Sequence, residues 1–160
     1  MKYSLDTNVL VEAWNKYYAL DLCPDYWEKI NELAQEGTVF ATIEVKKDII
    51  RKDDKLRDWV DSRDYLFRDI TEEVMDNLRK IFEKKEYQRL IDSCGFRSAS
   101  DPWVIAHAMA EGAVVVTKEE YETNPTDRVK IPNVCEGMGL EWIDDFELIR
   151  RLGIKFSIRS

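Results

Sequence analysis

The chain alternates between short continuous apolar runs and longer stretches in which apolar residues recur at helical spacing. The short runs predict buried strands at residues 2–6, 39–41, 65–70, 113–116 and 141–143. Apolar spacing and capping residues predict helices that begin near Pro24, Thr42, Asp54, Thr71 and Ser100 or Asp101, a short helix around 134–138, and a last helix after Asp144. Strands that alternate with helices indicate an α/β fold, here an α/β/α sandwich with a central, mainly parallel sheet and Rossmann-like layering.

The length of the chain and the unbroken alternation of predicted strands and helices favour a single domain. A chain of 160 residues without an internal repeat or linker predicts a single domain over residues 1–160. The first residues lack the apolar region of a signal peptide, and no apolar run approaches the ~20 residues of a membrane span. We therefore expect a cytoplasmic protein with no membrane partner.

The net charge and the scarcity of histidine argue against two functions, passive nucleic-acid binding and zinc binding. A net charge of −8 argues against a passive nucleic-acid binder, which normally carries a basic face. It does not exclude a nuclease, because bound cations would offset part of the negative charge. The only histidine, His107, has no cysteine near it in the sequence, which argues against a zinc site. We expect His107 to be packed and hydrogen-bonded within its buried helix.

Four acidic residues stand where a predicted strand ends or a predicted helix begins. They are Asp6, Glu44, Asp101 and Glu119. The carboxyl ends of parallel strands share one edge of a sheet, so we expect these side chains to converge there. Clustered carboxylates repel one another unless a cation neutralises them, and oxygen ligands favour Mg²⁺ or Mn²⁺. The pattern therefore predicts a divalent-metal site suited to phosphate chemistry.

Each acid also has a purely structural explanation. Asp101 precedes Pro102 and suits a helix N-cap, and Glu44 lies in a first helical turn, where the helix dipole favours an acid. Asp6 could form a turn with its own backbone after the strand, and Glu119 could be a solvated loop residue. Taken singly these explanations are at least as good, but the order and spacing of all four favour a site.

The segments S-L-D-T-N-V-L, S-D-P-W-V-I-A-H-A and V-V-V-T-K-E, with an internal Glu44, resemble the PIN domain over nearly the whole chain. The aromatic stretch V-E-A-W-N-K-Y-Y and the late segment I-P-N-V-C-E resemble a bacterial and archaeal PIN-like group. The resemblance implies an Mg²⁺- or Mn²⁺-dependent ribonuclease, of the kind that often serves as the toxin of a toxin–antitoxin pair. The partners we expect are an RNA substrate, an antitoxin protein and a second copy of the chain in a homodimer.

The resemblance assigns the first, second and third acids of the family to Asp6, Glu44 and Asp101. Glu119 matches the fourth acid, where relatives usually carry Asp, and Glu120 is an alternative to it. All four matched acids are expected to be catalytic and to bind metal, although Glu44 could instead orient the attacking water.

Other matched or neighbouring residues are candidates for supporting roles. Asn8 and Thr117 are suited to holding water bound to the metal. Lys46 and Lys47 are candidate RNA contacts. The rings of Trp14 and Tyr17 could stack on unpaired bases, or could instead cover the edge of the sheet.

Two other functions compete with this interpretation. A HAD-like phosphohydrolase also places an acid after its first strand, but its chemistry needs D-x-D, and the third position here is Asn8. A non-catalytic PIN-like scaffold or binding module would need no metal. The complete set of acids argues against that loss of activity.

Overall fold

The computed structural model describes residues 1–52, 54–90, 100–124 and 129–158. Its centre is a five-stranded sheet in the order β3-β2-β1-β4-β5, in which every described pair of strands is parallel. The strands are β1 (Tyr3–Leu5), β2 (Val39–Thr42), β3 (Phe67–Arg68), β4 (Val114–Val116) and β5 (Trp142–Ile143). Tyr3 of the central strand β1 lies opposite Val39 of β2 and Val114 of β4.

Eight α-helices connect or follow the strands in the described part of the chain. They are α1 (Thr7–Glu12), α2 (Pro24–Gln35), α3 (Ile43–Lys52), α4 (Asp54–Asp61), α5 (Glu72–Glu83), α6 (Asp101–Glu111), α7 (Ile131–Met138) and α8 (Asp145–Arg151). Short 3₁₀ turns at Asp64–Leu66 and Lys85–Leu90 and a π-helical segment at Ala13–Tyr17 complete the set. Among the residues described, none of these helices has the length and apolar character needed to cross a bilayer.

The burial of the strands shows why helices flank the sheet. Every residue of β1, β2 and β4 is buried, so both faces of the central sheet are covered. Helix α6 is buried along most of its length and contacts β1, β2 and β4. It also packs against α5. This arrangement confirms the predicted α/β class and the parallel central sheet.

Several helix boundaries fall where the sequence predicts them. Thr71 caps α5, because its hydroxyl accepts a hydrogen bond from the Val74 amide at 3.3 Å. Asp144 caps α8 in the same way, accepting from the Glu147 amide at 2.8 Å. Helix α6 ends at Gly112, whose φ of +62° is a left-handed conformation that glycine adopts without strain.

Two segments differ from the prediction. The strand expected at 65–70 is limited to Phe67–Arg68, because a 3₁₀ turn precedes it and only these residues pair with β2. The polar, aromatic segment after β1 has no strong apolar period, yet it forms α1 and the π-helical segment. Trp14 contributes to this outcome by packing edge-on against Trp27, with ring centroids 5.0 Å apart, a contact between distant parts of the chain.

Candidate functional site

The order of the strands reverses beside β1. The chain passes from β1 to β2 and β3 on one side and then returns to β4 on the other side. Such a switch point leaves a crevice at the carboxyl ends of the strands, where ligands of α/β proteins bind. Asp6 follows β1 and Thr117 follows β4, and the Thr117 hydroxyl donates to Asp6 Oδ2 at 2.9 Å. The two predicted residues therefore meet in this crevice.

Asp6 is almost fully buried and is held in a fixed orientation. It is the N-cap residue of α1, and its Oδ1 accepts a hydrogen bond from the Thr7 amide at 2.8 Å while Oδ2 accepts from Thr117. Burial, followed by the charge of Glu119, raises the pKa of Asp6 to about 7, although both hydrogen bonds oppose this rise. In the absence of a cation, the surroundings therefore disfavour the ionised form of Asp6.

Asp101 is the first residue of α6 and is also buried. Burial raises its pKa to about 9, and the charges of Asp6, Glu119 and Asp48 add to the rise while Lys52 opposes it. Ser100, and not Asp101, occupies the N-cap position of this helix. Helix capping therefore does not explain the acid at position 101.

Glu119 lies shortly after β4, and both its backbone amide and its side chain form hydrogen bonds. Its amide donates to the Thr117 hydroxyl at 3.1 Å, and its Oε2 accepts from the amide of Ile131, the first residue of α7, at 2.8 Å. The longer side chain of glutamate thus reaches α7 while its charge still acts on Asp6 and Asp101. Glu120 is exposed and lines a neighbouring cleft, so the geometry favours Glu119 as the fourth acid.

These side chains surround a cavity of about 340 Å³, called here the acid cavity. It is lined by Asp6, Thr7, Asn8, Val11, Glu12, Lys52, Asp101 and Glu119. Asn8 is fixed at its margin, because its Oδ1 accepts from the Lys118 amide at 3.3 Å. The structure therefore brings together Asp6, Asp101 and Glu119 with both predicted supporting residues, Asn8 and Thr117.

Glu44 is placed differently from the other three acids. Its Oε1 forms an ion pair with Lys47 Nζ at 2.9 Å, and the side chain is partly exposed. Neither Glu44 nor Asp48 lines the acid cavity, so burial and electrostatics distinguish the two. Asp48, one turn later in α3, is buried to 2% exposure and its Oδ2 accepts from the Thr7 hydroxyl at 3.2 Å. The charge of Asp48 raises the pKa of both Asp6 and Asp101.

Asp48 is not among the acids that the strand-end pattern predicts, although the sequence carries a signal for it. The buried residues of α3 are Val45, Asp48 and Ile49, so an acid occupies the apolar stripe of an amphipathic helix. A carboxylate on a buried helix face needs a partner or a ligand. The second acid of the site is therefore better placed at Asp48 than at Glu44, whose predicted role as a ligand remains a prediction.

Two matched variants separate these candidates. We expect Asp48→Asn to lose most of the Mn²⁺-induced rise in melting temperature, and Glu44→Gln to keep it, because Asp48 is buried and its charge raises the pKa of Asp6 and Asp101. Asp48 also pairs with Arg51 at 2.5 Å, so each variant is compared with its own metal-free melting temperature. If Glu44→Gln instead loses the Mn²⁺-induced rise in melting temperature and Asp48→Asn keeps it, Glu44 is the second acid of the site.

The residues predicted to contact RNA lie outside the acid cavity. Lys46 Nζ is 3.1 Å from Asp64 Oδ1, and Lys47 pairs with Glu44, so both lysines are engaged in ion pairs. Trp14 packs among aromatic rings, which supports the covering role rather than base stacking. Tyr17 is half-exposed, with Lys118 Nζ 4.1 Å from its ring centroid.

His107 is buried in α6, as expected, but it is not part of the acid cavity. Its Nε2 has no hydrogen-bond partner among the residues described, and burial lowers its pKa. It lines a separate cavity of about 260 Å³ with Arg68 and Glu111. The expected packing is present, whereas the hydrogen bond is absent at this nitrogen.

The donors around the acid cavity fit a hard divalent cation. They are carboxylate, amide and hydroxyl oxygens, which Mg²⁺ and Mn²⁺ prefer. Burial, followed by the charges of neighbouring acids, raises the pKa of Asp6 and Asp101, so a bound cation would favour their ionised forms. In residues 1–52, 54–90, 100–124 and 129–158, no group of three or more His, Cys, Asp or Glu side chains is placed closely enough to hold a metal ion. The fit therefore rests on donor chemistry and electrostatics.

Comparison with solved structures supports the fold. The chain is similar to a chain in the crystal structure of VapBC2 from Rickettsia felis bound to a DNA fragment from their promoter, with a TM-score of 0.54 and 18% sequence identity over 90% of this chain and 98% of that chain. At this identity the likeness shows the fold alone. No curated protein matches the chain. The family described as "Domain of unknown function (DUF4411)" matches residues 3–156, and the chain belongs to that family.

Proposed function

We propose that the protein is a divalent-metal-dependent ribonuclease that hydrolyses RNA phosphodiester bonds. The observation that carries this proposal is the convergence of buried carboxyl groups on one cavity at the switch point of the sheet, with the pKa of Asp6 and Asp101 raised by burial and like charge. Asp6, Asp48, Asp101 and Glu119 are the residues that would hold Mg²⁺ or Mn²⁺. When bound, the ion supplies Lewis acidity, which neutralises charge on the phosphate and makes water a better nucleophile near neutral pH.

The protein's own contribution is to hold these groups in place before substrate arrives. The Thr117 hydroxyl donates to Asp6 and accepts from the Glu119 amide, so one side chain sets the relative position of two acids. The Thr7 hydroxyl connects to Asp48 at 3.2 Å and lies 3.1 Å from the Ser100 hydroxyl, which joins α1, α3 and the start of α6. Lys52 lines the same cavity and provides a cation for a phosphate oxygen.

We further propose that this ribonuclease acts as the toxin of a prokaryotic toxin–antitoxin pair. The resemblance to PIN toxins and the fold likeness to a chain of VapBC2 both support it. The substrate would then be RNA, and an antitoxin protein would be the partner. A homodimer remains a sequence-based prediction.

The alternatives differ in what they require from the site. A HAD-like phosphohydrolase needs an acid two positions after Asp6, but the Asn8 carboxamide cannot act as a general acid or base near neutral pH, and its oxygen accepts a hydrogen bond from the Lys118 amide. A scaffold would need no cation, yet the buried carboxyls repel one another when ionised, and a bound cation would lower that cost. Both features favour the ribonuclease.

The direct test is cleavage of single-stranded RNA by the purified protein. We expect cleavage with Mg²⁺ or Mn²⁺ and none after addition of EDTA. Cleavage that persists in EDTA would exclude the metal mechanism. Hydrolysis of a generic phosphate ester without RNA cleavage would favour the phosphohydrolase, and failure to bind Mn²⁺ would favour the scaffold.

A further inference from the structure

A second cleft, of about 600 Å³, adjoins the acid cavity and is called here the aromatic cleft. Thr117, Lys118 and Glu119 form the wall nearest the acids, and Glu119 lines both spaces. The lining also includes three aromatic side chains, Tyr121, Trp142 and Phe146. The volume lies within the ~300–1,000 Å³ typical of sites for small organic ligands.

The aromatic rings are arranged as an open surface for stacking. Tyr121 and Trp142 are stacked, with ring centroids 6.2 Å apart and planes inclined by 20°. Tyr121 is 46% exposed and Phe146 is 43% exposed, although both are large apolar side chains. Tyr17 supports Phe146 by an edge-on contact at 6.0 Å. Partly exposed rings that line a cleft suit a flat aromatic ligand.

The charges of the cleft select against a phosphate. Glu119, Glu120, Asp144 and Glu147 all line it. Its two cations are already engaged by acids, with Lys118 Nζ 3.1 Å from Asp145 Oδ2 and 3.5 Å from Glu12 Oε2, and Arg150 3.9 Å from Glu147. Excess carboxylate repels an anion but accepts hydrogen bonds from a neutral ligand that carries N–H groups.

We propose that the aromatic cleft binds an unpaired nucleobase of the substrate strand, next to the phosphate that is cleaved. This inference rests on the proposed ribonuclease function, because the acid cavity would hold the phosphate while the cleft beside Glu119 receives the base. A nucleobase is neutral and flat and carries at least one N–H donor, which matches both the rings and the carboxylates. A base within a duplex cannot present its face to Tyr121, so the site accepts single strands.

Kinetics with matched variants test this placement. We expect Tyr121→Leu and Phe146→Leu each to raise KM for single-stranded RNA by roughly 10-fold with kcat changed less than twofold, since stacking contributes mainly to binding. Tyr121→Phe keeps a ring, so its KM should lie closer to that of the parent than to that of Tyr121→Leu. Tyr65→Leu removes a half-exposed tyrosine that lines neither cavity and serves as the control. Equal KM values for Tyr121→Leu and Tyr65→Leu would overturn the proposal.

A binding measurement separates failure of the cleft from failure of the ribonuclease. Guanosine and adenosine are titrated into the metal-free protein, and the indole N–H resonance of Trp142, identified with Trp142→Phe, is followed by NMR. We expect both nucleosides to shift it in the parent and to shift it much less in Tyr121→Leu, even if RNA cleavage is absent. An unchanged resonance would refute the base site. If an arginine-containing peptide shifts the Trp142 resonance and the nucleosides do not, the cleft binds a basic protein segment and the proposal of a base site is wrong.

Discussion

Asp6→Asn is expected to reduce RNA cleavage by at least ~10²-fold, the loss typical when a group that stabilises transition-state charge is removed. The substitution preserves the volume and an oxygen at the position of Oδ1 or Oδ2, so the capping bond from Thr7 can persist. It removes the charge at the centre of the cluster, where Asp6 is in contact with Thr117 and acts on Asp101. The rate is measured under single-turnover conditions with saturating Mn²⁺.

A matched control distinguishes this loss from a general effect of the substitution. Asp76→Asn makes the same change at an exposed position of α5, where the carboxylate pairs with Arg79, away from both cavities. We expect this variant to cleave at the parental rate. A parental rate in Asp6→Asn would mean that the cleavage comes from a contaminating nuclease or that Asp6 has no part in the reaction.

The second large effect concerns stability. Without metal, Asp6→Asn should be at least as stable as the parent, because it removes a like charge from a buried group of acids. With Mn²⁺ at about a hundredfold excess over its dissociation constant, the parent should gain ~2.7 kcal/mol in the free energy of unfolding. For a protein of this size that is roughly 5–11 °C in melting temperature. Asp6→Asn should gain much less.

The metal effect should also depend on pH. The folded state raises the pKa of Asp6 to about 7 and that of Asp101 to about 9, above the ~3.9 of an unfolded aspartate. The folded metal-free protein therefore binds more protons than the unfolded chain above pH ~4, and its stability falls as the pH rises through this range. The Mn²⁺-induced shift should be larger at pH 7.5 than at pH 5.5. Equal shifts in parent and Asp6→Asn at both pH values would place the ion elsewhere.

Local rules account for much of what the sequence predicts correctly. The apolar runs Y-S-L, V-F-A-T and V-V-V form strands buried at every residue, and Thr71 and Asp144 cap helices with their own side chains. The convergence of Asp6, Asp101 and Glu119 follows from a topological rule. Residues at the carboxyl ends of parallel strands, or at the starts of the helices that pack on them, share one edge of the sheet.

The sequence by itself determined the fold class and the three acids that line the acid cavity, because strand ends and helix starts are encoded locally. Only the tertiary structure showed that Asp48 is the buried carboxylate of α3, since the packing of this helix sets which of its acids is covered. It alone placed Trp14 among other rings and brought Tyr121, Trp142 and Phe146 around one cleft. These contacts join residues from separate elements, and a short-range pattern of hydrophobic and polar positions does not specify which distant side chains will meet.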